Sequence, residues 1–442
     1  MLRRKIESKL RAWKETPDHN PLVIKGCRQC GKTYSALHFA RSHYESVVYL
    51  NFFENELYKE VFKGSANIER IILELTSLMG NENKFIPYST CIILDEIQEC
   101  PEARTLLKFF KIDGRYDIIA TGSLLGISGY KEMPVSIPVG YETTLEMFPL
   151  DFEEFLWANN ITETYISELK KCMHYIIPLS DVTMKVMHDL MLKYMVVGGM
   201  PAVVENYVTH KLMDQVLRLQ KDIVNGYRDD MVKYSPRSEK SKIRECFDSI
   251  PRQLAKENKK FQFSIIEKGG RASRFEGCLK WIEDAGIIQS CHNLRCLELP
   301  LAGNSEENIF KIYMTDIGLL VSMLEDGTQF DILQNRLYTY KGAIIENLVA
   351  DFFGKAGKKL YYYRKDSGLE IDFVIRWESE CTPIECKAKD GNIKSLKTIL
   401  NHAEKYHVGK AIKLCDKNIG FANGILTLPM FLGAFLFEPF SL

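Results

Sequence analysis

Net charge and long apolar runs are both missing from this sequence, and each absence excludes a class of function. Lysine plus arginine and aspartate plus glutamate number 58 each, so no overall field draws the chain to nucleic acid or to a membrane surface. Nucleic-acid binding would therefore need a local patch. No run reaches the roughly 18 apolar residues of a membrane span, and the charged start at residues 1–7 lacks the apolar core of a signal peptide. We expect no membrane partner.

Internal repeats, low-complexity segments and closely spaced cysteine frameworks are also missing. The 12 cysteines are scattered through apolar segments, a distribution typical of a reducing compartment. We therefore expect a cytoplasmic protein. With 442 residues and 46% apolar content, the chain is long enough for about two to four domains, each with its own core.

The motif with the most specific chemistry lies near the N-terminus. The octapeptide at 26–33, GCRQCGKT, matches the phosphate-loop pattern G-x-x-x-x-G-K-[ST] in full, between the apolar run at 21–25 and a predicted helix. Backbone N–H groups of such a loop surround a β-phosphate at a helix N-terminus. The pattern predicts ATP and Mg²⁺ as ligands, with Lys32 on the β- and γ-phosphates and the Thr33 hydroxyl on the metal. The residues assigned to nucleotide binding form one run: Gly26, Cys27, Arg28, Gln29, Cys30, Gly31, Lys32, Thr33 and Tyr34.

A second motif supplies acidic groups for the same chemistry. The apolar run at 91–94 leads into Asp95 and Glu96, the pattern of a Walker B strand. Asp95 would hold the magnesium-bound water, and Glu96 would polarise the attacking water. The next predicted strand ends in polar residues where a sensor side chain would contact the γ-phosphate. We assign catalytic roles to Lys32, Glu96 and Ser123, with Thr121 as second choice for the sensor and a simple turn as the alternative.

Strands alternate with helices through this N-terminal part of the chain. Compact apolar runs at 21–25, 47–52, 91–95 and 116–121 are separated by helical stretches. Such alternation predicts an α/β fold with a parallel, doubly wound sheet. From about 160 to 235 the periodicity is helical and is broken by a sharp turn at 197–201, which indicates a helical lid or linker.

A helix-turn-helix pattern occupies residues 263–288. Apolar residues recur at helical spacing in its second half, which leaves Arg274 and Lys280 outward and Arg271 in the turn, able to meet phosphates. An extended segment then begins, as the wing of a winged helix would. DNA binding is one interpretation, and packing against other protein is the alternative.

Three acidic residues and a lysine form a candidate metal site near the C-terminus. Glu346 lies in a predicted helix, and Asp372 and Glu385 lie in successive predicted strands. The strand period of two puts Glu385 and Lys387 on one face, so that acids from both strands can converge on one cation. A metal there would activate water, with Lys387 as the catalytic lysine. A structural salt-bridge cluster is the alternative.

These motifs together resemble a family of prokaryotic P-loop ATPases of the AAA+/STAND-related type with a C-terminal domain similar to the PD-(D/E)XK nuclease fold. The resemblance covers nearly the whole chain and includes the segments 149–155 and 198–201. It implies a P-loop sheet followed by a helical lid, a winged helix and a restriction-endonuclease-like α/β domain. The corresponding divisions are 1–160 (P-loop AAA-type ATPase), 161–235 (helical lid or linker), 236–328 (winged helix) and 329–442 (nuclease-like domain).

The chain departs from this family at the position where an arginine finger would be expected. Many relatives carry an arginine just before the Pro149-Leu150 segment, whereas this chain has Val139-Gly140-Tyr141-Glu142. An arginine finger from that position is therefore in doubt. Arg104 and Arg115 are the remaining candidates, and Arg3 and Arg4 are candidates for the adenine side.

Two functions follow from these expectations. One is an ATP-driven nucleic-acid enzyme in which nucleotide state gates DNA binding or cleavage by the C-terminal half. The other is a nucleotide-dependent regulatory switch whose inactive nuclease-like domain binds a protein partner. For either function, a monomer or small oligomer and a hexamer are equal alternatives. Neutral charge favours the switch, and the complete acidic set with Lys387 favours the enzyme.

Overall fold

The structure, a computed structural model, describes most of the chain. The described ranges are 2–64, 66–80, 84–123, 140–236, 238–256, 259–270, 272–336, 340–389 and 391–438. They divide into two compact units. One consists of Arg4–Phe148 with Asp284–Gly286, and the other of Met1–Arg3, Pro149–Glu283 and Ile287–Leu442. The smaller unit therefore ends ahead of the division expected near residue 160.

The smaller unit contains a five-stranded parallel sheet in the order β2-β3-β4-β1-β5. This confirms the predicted parallel α/β fold. Its strands are β1 (Leu22–Lys25), β2 (Ser46–Asn51), β3 (Thr90–Asp95), β4 (Asp117–Gly122) and β5 (Thr143–Glu146). Its helices are α1 (Ile6–Glu15), α2 (Lys32–His43), α3 (Glu56–Phe62), α4 (Ile68–Met79) and α5 (Pro101–Asp113).

Strand β3 shows how the sequence fixes this fold. All six of its residues are buried, and successive side chains point to opposite faces of the sheet. Ile93 packs in the core that contains residues of α1 and α2, while Ile92 and Leu94 pack in the core that contains residues of α3, α4 and α5. A continuous apolar strand is what a sheet covered on both faces requires.

The larger unit begins with helices. They are α6 (Phe152–Ala158), α7 (Glu163–His174), α8 (Asp181–Val197), α9 (Pro201–His210) and α10 (Met213–Tyr234). The predicted acidic start of α6 is a capping box, because Asp151 accepts from the Glu154 N–H at 2.9 Å and Glu154 accepts from the Asp151 N–H at 3.1 Å. The predicted turn lies between α8 and α9, where a Cβ on Gly199 would stand 1.9 Å from the Leu150 carbonyl oxygen.

The middle of the larger unit contains both helices and strands. They are α11 (Lys240–Leu254), α12 (Ala272–Asp284), β6 (Ile288–Leu294), β7 (Ser305–Met314), α13 (Ile317–Ser322) and α14 (Thr328–Leu333). Strands β6 and β7 pair antiparallel. In the predicted helix-turn-helix at 263–288, the first half contains only a short 3-10 helix, Phe263–Ile265, and the second half is α12. The winged helix stays a prediction.

The C-terminal part contributes strands to two further sheets, both mixed. Its helices are α15 (Lys341–Lys355), α16 (Lys394–Asn401) and α17 (Ala403–Tyr406). Its strands are β8 (Leu360–Arg364), β9 (Glu370–Ile371), β10 (Phe373–Trp377), β11 (Glu380–Cys386), β12 (Ala411–Cys415), β13 (Gly420–Ala422) and β14 (Ile425–Pro429). One sheet has the order β10-β11-β12-β14-β13 and the other β7-β6-β8-β9. In the sheet β7-β6-β8-β9, β6 and β7 lie before residue 328 and β8 and β9 lie after it. The two predicted C-terminal domains therefore share this sheet.

A buried ion cluster holds the centre of the larger unit together. The Lys355 ammonium lies 2.8 Å from Asp351 and 3.2 Å from Asp316, and all three side chains are at most 2% exposed. Asp316 also accepts from the Gly199 N–H at 2.7 Å, and Asp351 accepts from the Tyr194 hydroxyl at 2.7 Å. The cluster therefore ties the turn after α8 to helices α13 and α15.

Of the helices in the described ranges, none is both long enough and apolar enough to cross a membrane.

Candidate functional site

The predicted phosphate loop connects β1 to α2, as the motif requires. Gly31 caps α2 with a left-handed φ of +98°, and Gly26 has φ +154°. A Cβ on Gly26 would lie 2.0 Å from the Met147 carbonyl oxygen, so no other residue fits that position without movement of the backbone. The loop therefore places the N-terminal N–H groups of α2 at the carboxyl edge of the sheet, where they favour an anion.

Lys32 lies inside this loop. Its side chain is buried, and its ammonium donates to the carbonyl oxygens of Cys27 at 2.8 Å and Gly26 at 3.1 Å. Backbone carbonyl oxygens carry no full charge, so the ammonium remains available to phosphate oxygens. Tyr34, at the end of the assigned run, is 58% exposed.

Asp95 is surrounded by hydroxyl groups. It accepts from the Thr33 hydroxyl at 2.9 Å, the Tyr49 hydroxyl at 2.8 Å, the Thr121 hydroxyl, and the Glu96 N–H at 3.1 Å. The structure thus brings Thr33 and Asp95, the two predicted magnesium residues, into direct contact. Carboxylate and hydroxyl oxygens in contact are the ligands that a divalent cation such as Mg²⁺ prefers.

Glu96 follows in a left-handed conformation with φ +53°. This conformation is uncommon for a residue with a side chain. The Gln98 amide donates to the Glu96 carboxylate. The strained backbone and the amide partner together fix the direction of the carboxylate that we expect to act on water.

The sensor and finger candidates differ in what they contact. Ser123, the first choice for the sensor, is buried near the end of β4, whereas Thr121, the second choice, donates to Asp95. Arg104 forms a two-point pair with Glu142 at 2.7 and 3.2 Å. Arg115 likewise pairs with Asp113 at 2.7 Å. Both arginines are therefore engaged within this chain.

The two N-terminal arginines have separate roles. Arg4 is buried and donates to the carbonyl oxygens of Cys30 at 2.9 Å and Phe148 at 2.6 Å, so it supports the phosphate loop from behind. Arg3 lies over the Trp157 ring at 4.5 Å and pairs with Glu163 at 2.6 Å. The adenine-side role expected for them stays a prediction.

Sequence reasoning missed Tyr49 and the supporting role of Arg4. The sequence contained one weak indication of Tyr49, the polar residues near the end of β2. The register of β2 against β3 aligns Tyr49 with Ile93 and Asn51 with Asp95, which puts polar residues of β2 at the carboxyl edge. Only knowledge that β2 neighbours β3 would have identified it.

At the C-terminal acidic set, Lys387 joins Asp372 and Glu385. Its ammonium lies 3.0 Å from Glu385 and 3.7 Å from Asp372, and Asp372 also accepts from the Cys386 N–H at 2.9 Å. Burial, followed by the charge of Asp372, raises the pKa of Glu385 to about 7. Burial and then the charge of Glu346 raise the pKa of Asp372. Asp372, predicted in a strand, lies between β9 and β10, and Lys387 follows the end of β11.

Glu346 has a different set of partners. It accepts from the Lys259 ammonium, from the Tyr313 hydroxyl at 2.9 Å and from the Lys311 ammonium at 3.5 Å. Burial acts to raise the pKa of Glu346, but the two lysines outweigh it and lower that pKa to about 2. Lys311, itself 1% exposed, also pairs with Glu370 at 2.8 Å.

These lysine contacts decide how well a metal fits the acidic set. Within the described ranges, no group of three or more histidine, cysteine, aspartate or glutamate residues is arranged to hold a metal ion. With the lysines where they are, Glu346, Asp372 and Glu385 do not fit a metal ion. The shared cation stays a prediction.

The predicted DNA-facing residues are placed only in part. Arg274 is exposed on α12 and pairs with Glu267 at 2.9 Å, and Lys280 is exposed on the same helix. Phe275 and Ile282 are buried, as their helical spacing predicted. Arg271 lies outside the described residues.

Comparison with known families assigns the N-terminal part. Residues 18–156 match a family model described as "AAA domain". Residues 18–156 form a P-loop ATPase domain. Residues 188–329 match a model described as "Domain of unknown function (DUF8612)", and residues 341–431 match one described as "Domain of unknown function (DUF4143)". A search of the curated proteins finds no match to the sequence.

Several solved structures are similar over much of the chain. The Walker-type ATPase PABY2304 of Pyrococcus abyssi is 16% identical, over 73% of this chain and 96% of that one, with a TM-score of 0.44. The Aeropyrum pernix ORC1 protein in complex with DNA is 14% identical, over 76% and 93%, with a TM-score of 0.31. AMPPCP-bound DnaA from Aquifex aeolicus is 12% identical, over 63% and 86%, with a TM-score of 0.27. Scores this low carry no argument, so the assignment of the ATPase domain depends on the family model and on the site itself.

Proposed function

We propose that the chain is a magnesium-dependent ATPase of the AAA+/STAND type whose nucleotide state gates DNA binding by its C-terminal half. The observation that carries the ATPase proposal is the contact between Thr33 and Asp95 beside the phosphate loop, at 2.9 Å. A hydroxyl and a carboxylate in contact at the mouth of an anion-binding loop suit a Mg²⁺ ion shared with phosphate oxygens.

Each residue of the site has a distinct task in this proposal. Lys32 and the N–H groups of the loop bind the phosphate oxygens and offset their charge. Thr33 and Asp95 would hold Mg²⁺, which when bound neutralises charge on the β- and γ-phosphates. Glu96 orients a water molecule and accepts its proton, and Ser123, with Thr121 as the alternative, contacts the γ-phosphate.

Phosphate release from ATP tests the ATPase proposal. We expect Mg²⁺-dependent turnover by the wild type, loss of ATP binding in Lys32→Ala, and retained binding without turnover in Glu96→Gln. The matched control is Lys268→Ala, which removes an exposed lysine far along the sequence from the loop. Equal ATP turnover in Lys32→Ala and wild type would refute the assignment of the phosphate loop as the ATPase site.

The DNA part of the proposal depends on the middle and C-terminal segments. The helices α11 and α12 and the β6–β7 hairpin support a winged helix with Arg274 and Lys280 on its exposed face. The order α15, β8, β10, β11, α16, β12 supports a PD-(D/E)XK nuclease-like fold. We expect ATP turnover to rise on addition of duplex DNA, and DNA binding to weaken in Arg274→Ala.

The cysteines of the chain are free rather than bridged, which is consistent with a cytoplasmic location of the protein.

A second candidate function has its own supporting observation. In the described structure each acid of the C-terminal set has an ammonium partner, from Lys259, Lys311 or Lys387. This arrangement favours a nucleotide-dependent switch whose nuclease-like domain is inactive and binds a protein partner. Divalent-metal-dependent DNA cleavage that is lost in Asp372→Ala and Lys387→Ala would favour the enzyme. Slow ATP turnover without cleavage would favour the switch.

A further inference from the structure

Two cysteines are in contact inside the phosphate loop. Cys30 is fully buried and Cys27 is 4% exposed, and their thiols are hydrogen-bonded to each other. The Cys30 thiol also donates to the Met147 carbonyl oxygen at 3.4 Å. Neither side chain has a task in the proposed ATPase reaction, because a phosphate loop binds its ligand through backbone N–H groups and its lysine. The thiol pair is therefore a feature of this site that nucleotide binding does not explain.

Positive groups surround the Cys30 sulfur. The Lys32 ammonium lies 4.0 Å from it. The hydrogen bond with Cys27 has the largest effect on the pKa of Cys30 and lowers it; burial opposes this effect, and the charges of Lys32 and Arg4 add to the lowering. Burial raises the pKa of Cys91, which is equally buried in the same apolar core. Cys30, unlike Cys91, thus lies where a thiolate is stabilised, and the thiolate is the form that reacts with oxidants.

The loop has little room to absorb a covalent bond between the two sulfurs. Gln29, between the cysteines, and Gly31, directly after them, both have left-handed φ values, +65° and +98°. A Cβ on Gly26 would lie 3.3 Å from the Cys30 sulfur, so the loop packs closely around that atom. A disulfide holds two sulfurs closer together than a hydrogen bond does. Its formation would therefore move the backbone N–H groups of residues 27–31 that we expect to surround a phosphate.

We propose that Cys27 and Cys30 form a reversible disulfide on exposure to a peroxide, and that this modification switches off nucleotide binding at the phosphate loop. This regulation rests on the proposed ATPase function and acts at the same site. A transient disulfide is compatible with a reducing compartment, because the disulfides that do form there are usually catalytic or redox-sensing.

The disulfide forms in two steps. The Cys30 thiolate attacks one oxygen of hydrogen peroxide, the O–O bond breaks and hydroxide leaves, so that the sulfur is oxidised to a sulfenic acid. The Cys27 sulfur then attacks the Cys30 sulfur, the S–O bond breaks, and the hydroxyl leaves as water with the Cys27 proton. Reduction by a dithiol restores both thiols. Hydrogen peroxide is hardly larger than water, which suits it to a buried thiol.

The test measures disulfide formation and nucleotide affinity in the same samples of the full chain, before and after hydrogen peroxide. Trypsin cleaves after Arg28, between the two cysteines, so the peptides 26–28 and 29–32 stay joined without a reductant only if a disulfide links them. We expect the oxidised wild type to contain these linked peptides. Its affinity for a non-hydrolysable ATP analogue with Mg²⁺ should fall at least about tenfold, and a dithiol should restore it.

Each variant is compared with itself before and after peroxide, because the two cysteines belong to the nucleotide-binding loop. In Cys30→Val, which fills most of the buried space of the thiol, oxidation should change the affinity by less than about twofold. Cys30→Ala is the second variant and should respond in the same way. The matched control is Cys278→Ala, which removes one thiol of another buried, hydrogen-bonded pair, Cys246 and Cys278. It should lose affinity on oxidation as the wild type does.

Three results would overturn the inference. One is a wild type that binds the analogue but forms no linked peptides with peroxide. Another is a linked wild type whose affinity is unchanged. The third is a loss of affinity on oxidation that is as large in Cys30→Val as in the wild type. Failure of the proposed ATPase function is distinguishable, because the reduced wild type would then not bind the analogue at all.

Discussion

The two acidic sites of this chain use opposite means to hold a buried carboxylate. At the end of β3, Asp95 accepts from the hydroxyls of Thr33, Tyr49 and Thr121. In the C-terminal acidic set, the carboxylates are held by ammonium groups. Hydroxyl and N–H donors bring no net positive charge to a carboxylate, whereas lysine ammonium groups do. One site is therefore ready for a cation, and the other already contains its cations.

The largest expected effect comes from removing a fixed lysine. Lys311→Met should lower the free energy of unfolding by about 3–5 kcal/mol, because it removes a buried ammonium from the buried Glu346 carboxylate and from the partly buried Glu370. Urea unfolding of the whole chain would measure this change. The double variant Lys311→Met/Glu346→Gln should recover part of the loss. Equal stability of wild type and Lys311→Met would show that the buried ammonium does not stabilise the C-terminal carboxylates.

The next effect separates the two sites by activity. Asp95→Asn should lower ATP turnover by about 10²- to 10³-fold, because a neutral amide holds Mg²⁺ poorly. Asp372→Asn is the matched control at the other site and should leave turnover within about twofold of the wild type. Steady-state phosphate release measures both. A large loss of turnover in Asp372→Asn would show that the two sites are not independent.

The pH dependence of stability tests the C-terminal acidic set through Glu385. The folded chain raises the pKa of Glu385 from 4.5 to about 7, so between these values the folded state binds more protons than the unfolded one. Stability from this group is thus present below pH 4.5 and lost as pH rises through 7, by about 1–3 kcal/mol. The charged neighbours are Asp372, Lys387 and Lys413. Unfolding curves of wild type and Glu385→Gln from pH 4.5 to 7.5 should converge at the acidic end and diverge at the other.

The smallest effect concerns the hydroxyl partners of Asp95. Tyr49→Phe removes one of three hydroxyl donors, at 2.8 Å, and keeps the packing of the ring. We expect the Mg²⁺ concentration for half-maximal turnover to change by about two- to fivefold, with unfolding nearly unchanged. A magnesium titration of turnover measures it. An effect as large as that of Asp95→Asn would mean that Tyr49 acts on the nucleotide itself.

What sequence could predict depended on how far apart the interacting residues lie. Residues 26–33 form their site with neighbours in the chain, so the motif located the phosphate loop, its strand and its helix. Strand periodicity predicted that Glu385 and Lys387 share a face, but the contact of Lys387 with Asp372 also requires two separate segments to pack together. Contacts such as Lys259 with Glu346, 87 residues apart, require the packing of segments that no local pattern specifies. Tyr49 escaped for the same reason, since only the order of the strands brings it to Asp95.

The hydrogen-bonding and ionic partners of Glu346, rather than its position in the sequence, distinguish a metal ligand from a salt-bridge residue. Residue types and periodicity allowed either a metal ligand or a salt-bridge residue. The two ammonium groups on its carboxylate, with Lys311 fully buried, support the salt-bridge reading in the state described. Spacing alone could not decide this, because Lys311 and Lys259 belong to other elements.

The most direct test of the contrast between the two sites is a count of bound Mn²⁺ by electron paramagnetic resonance in the presence of a non-hydrolysable ATP analogue. We expect one ion per wild-type chain, lost in Asp95→Asn and kept in Asp372→Asn. A second ion that Asp372→Asn removes while Lys259 is intact would contradict it.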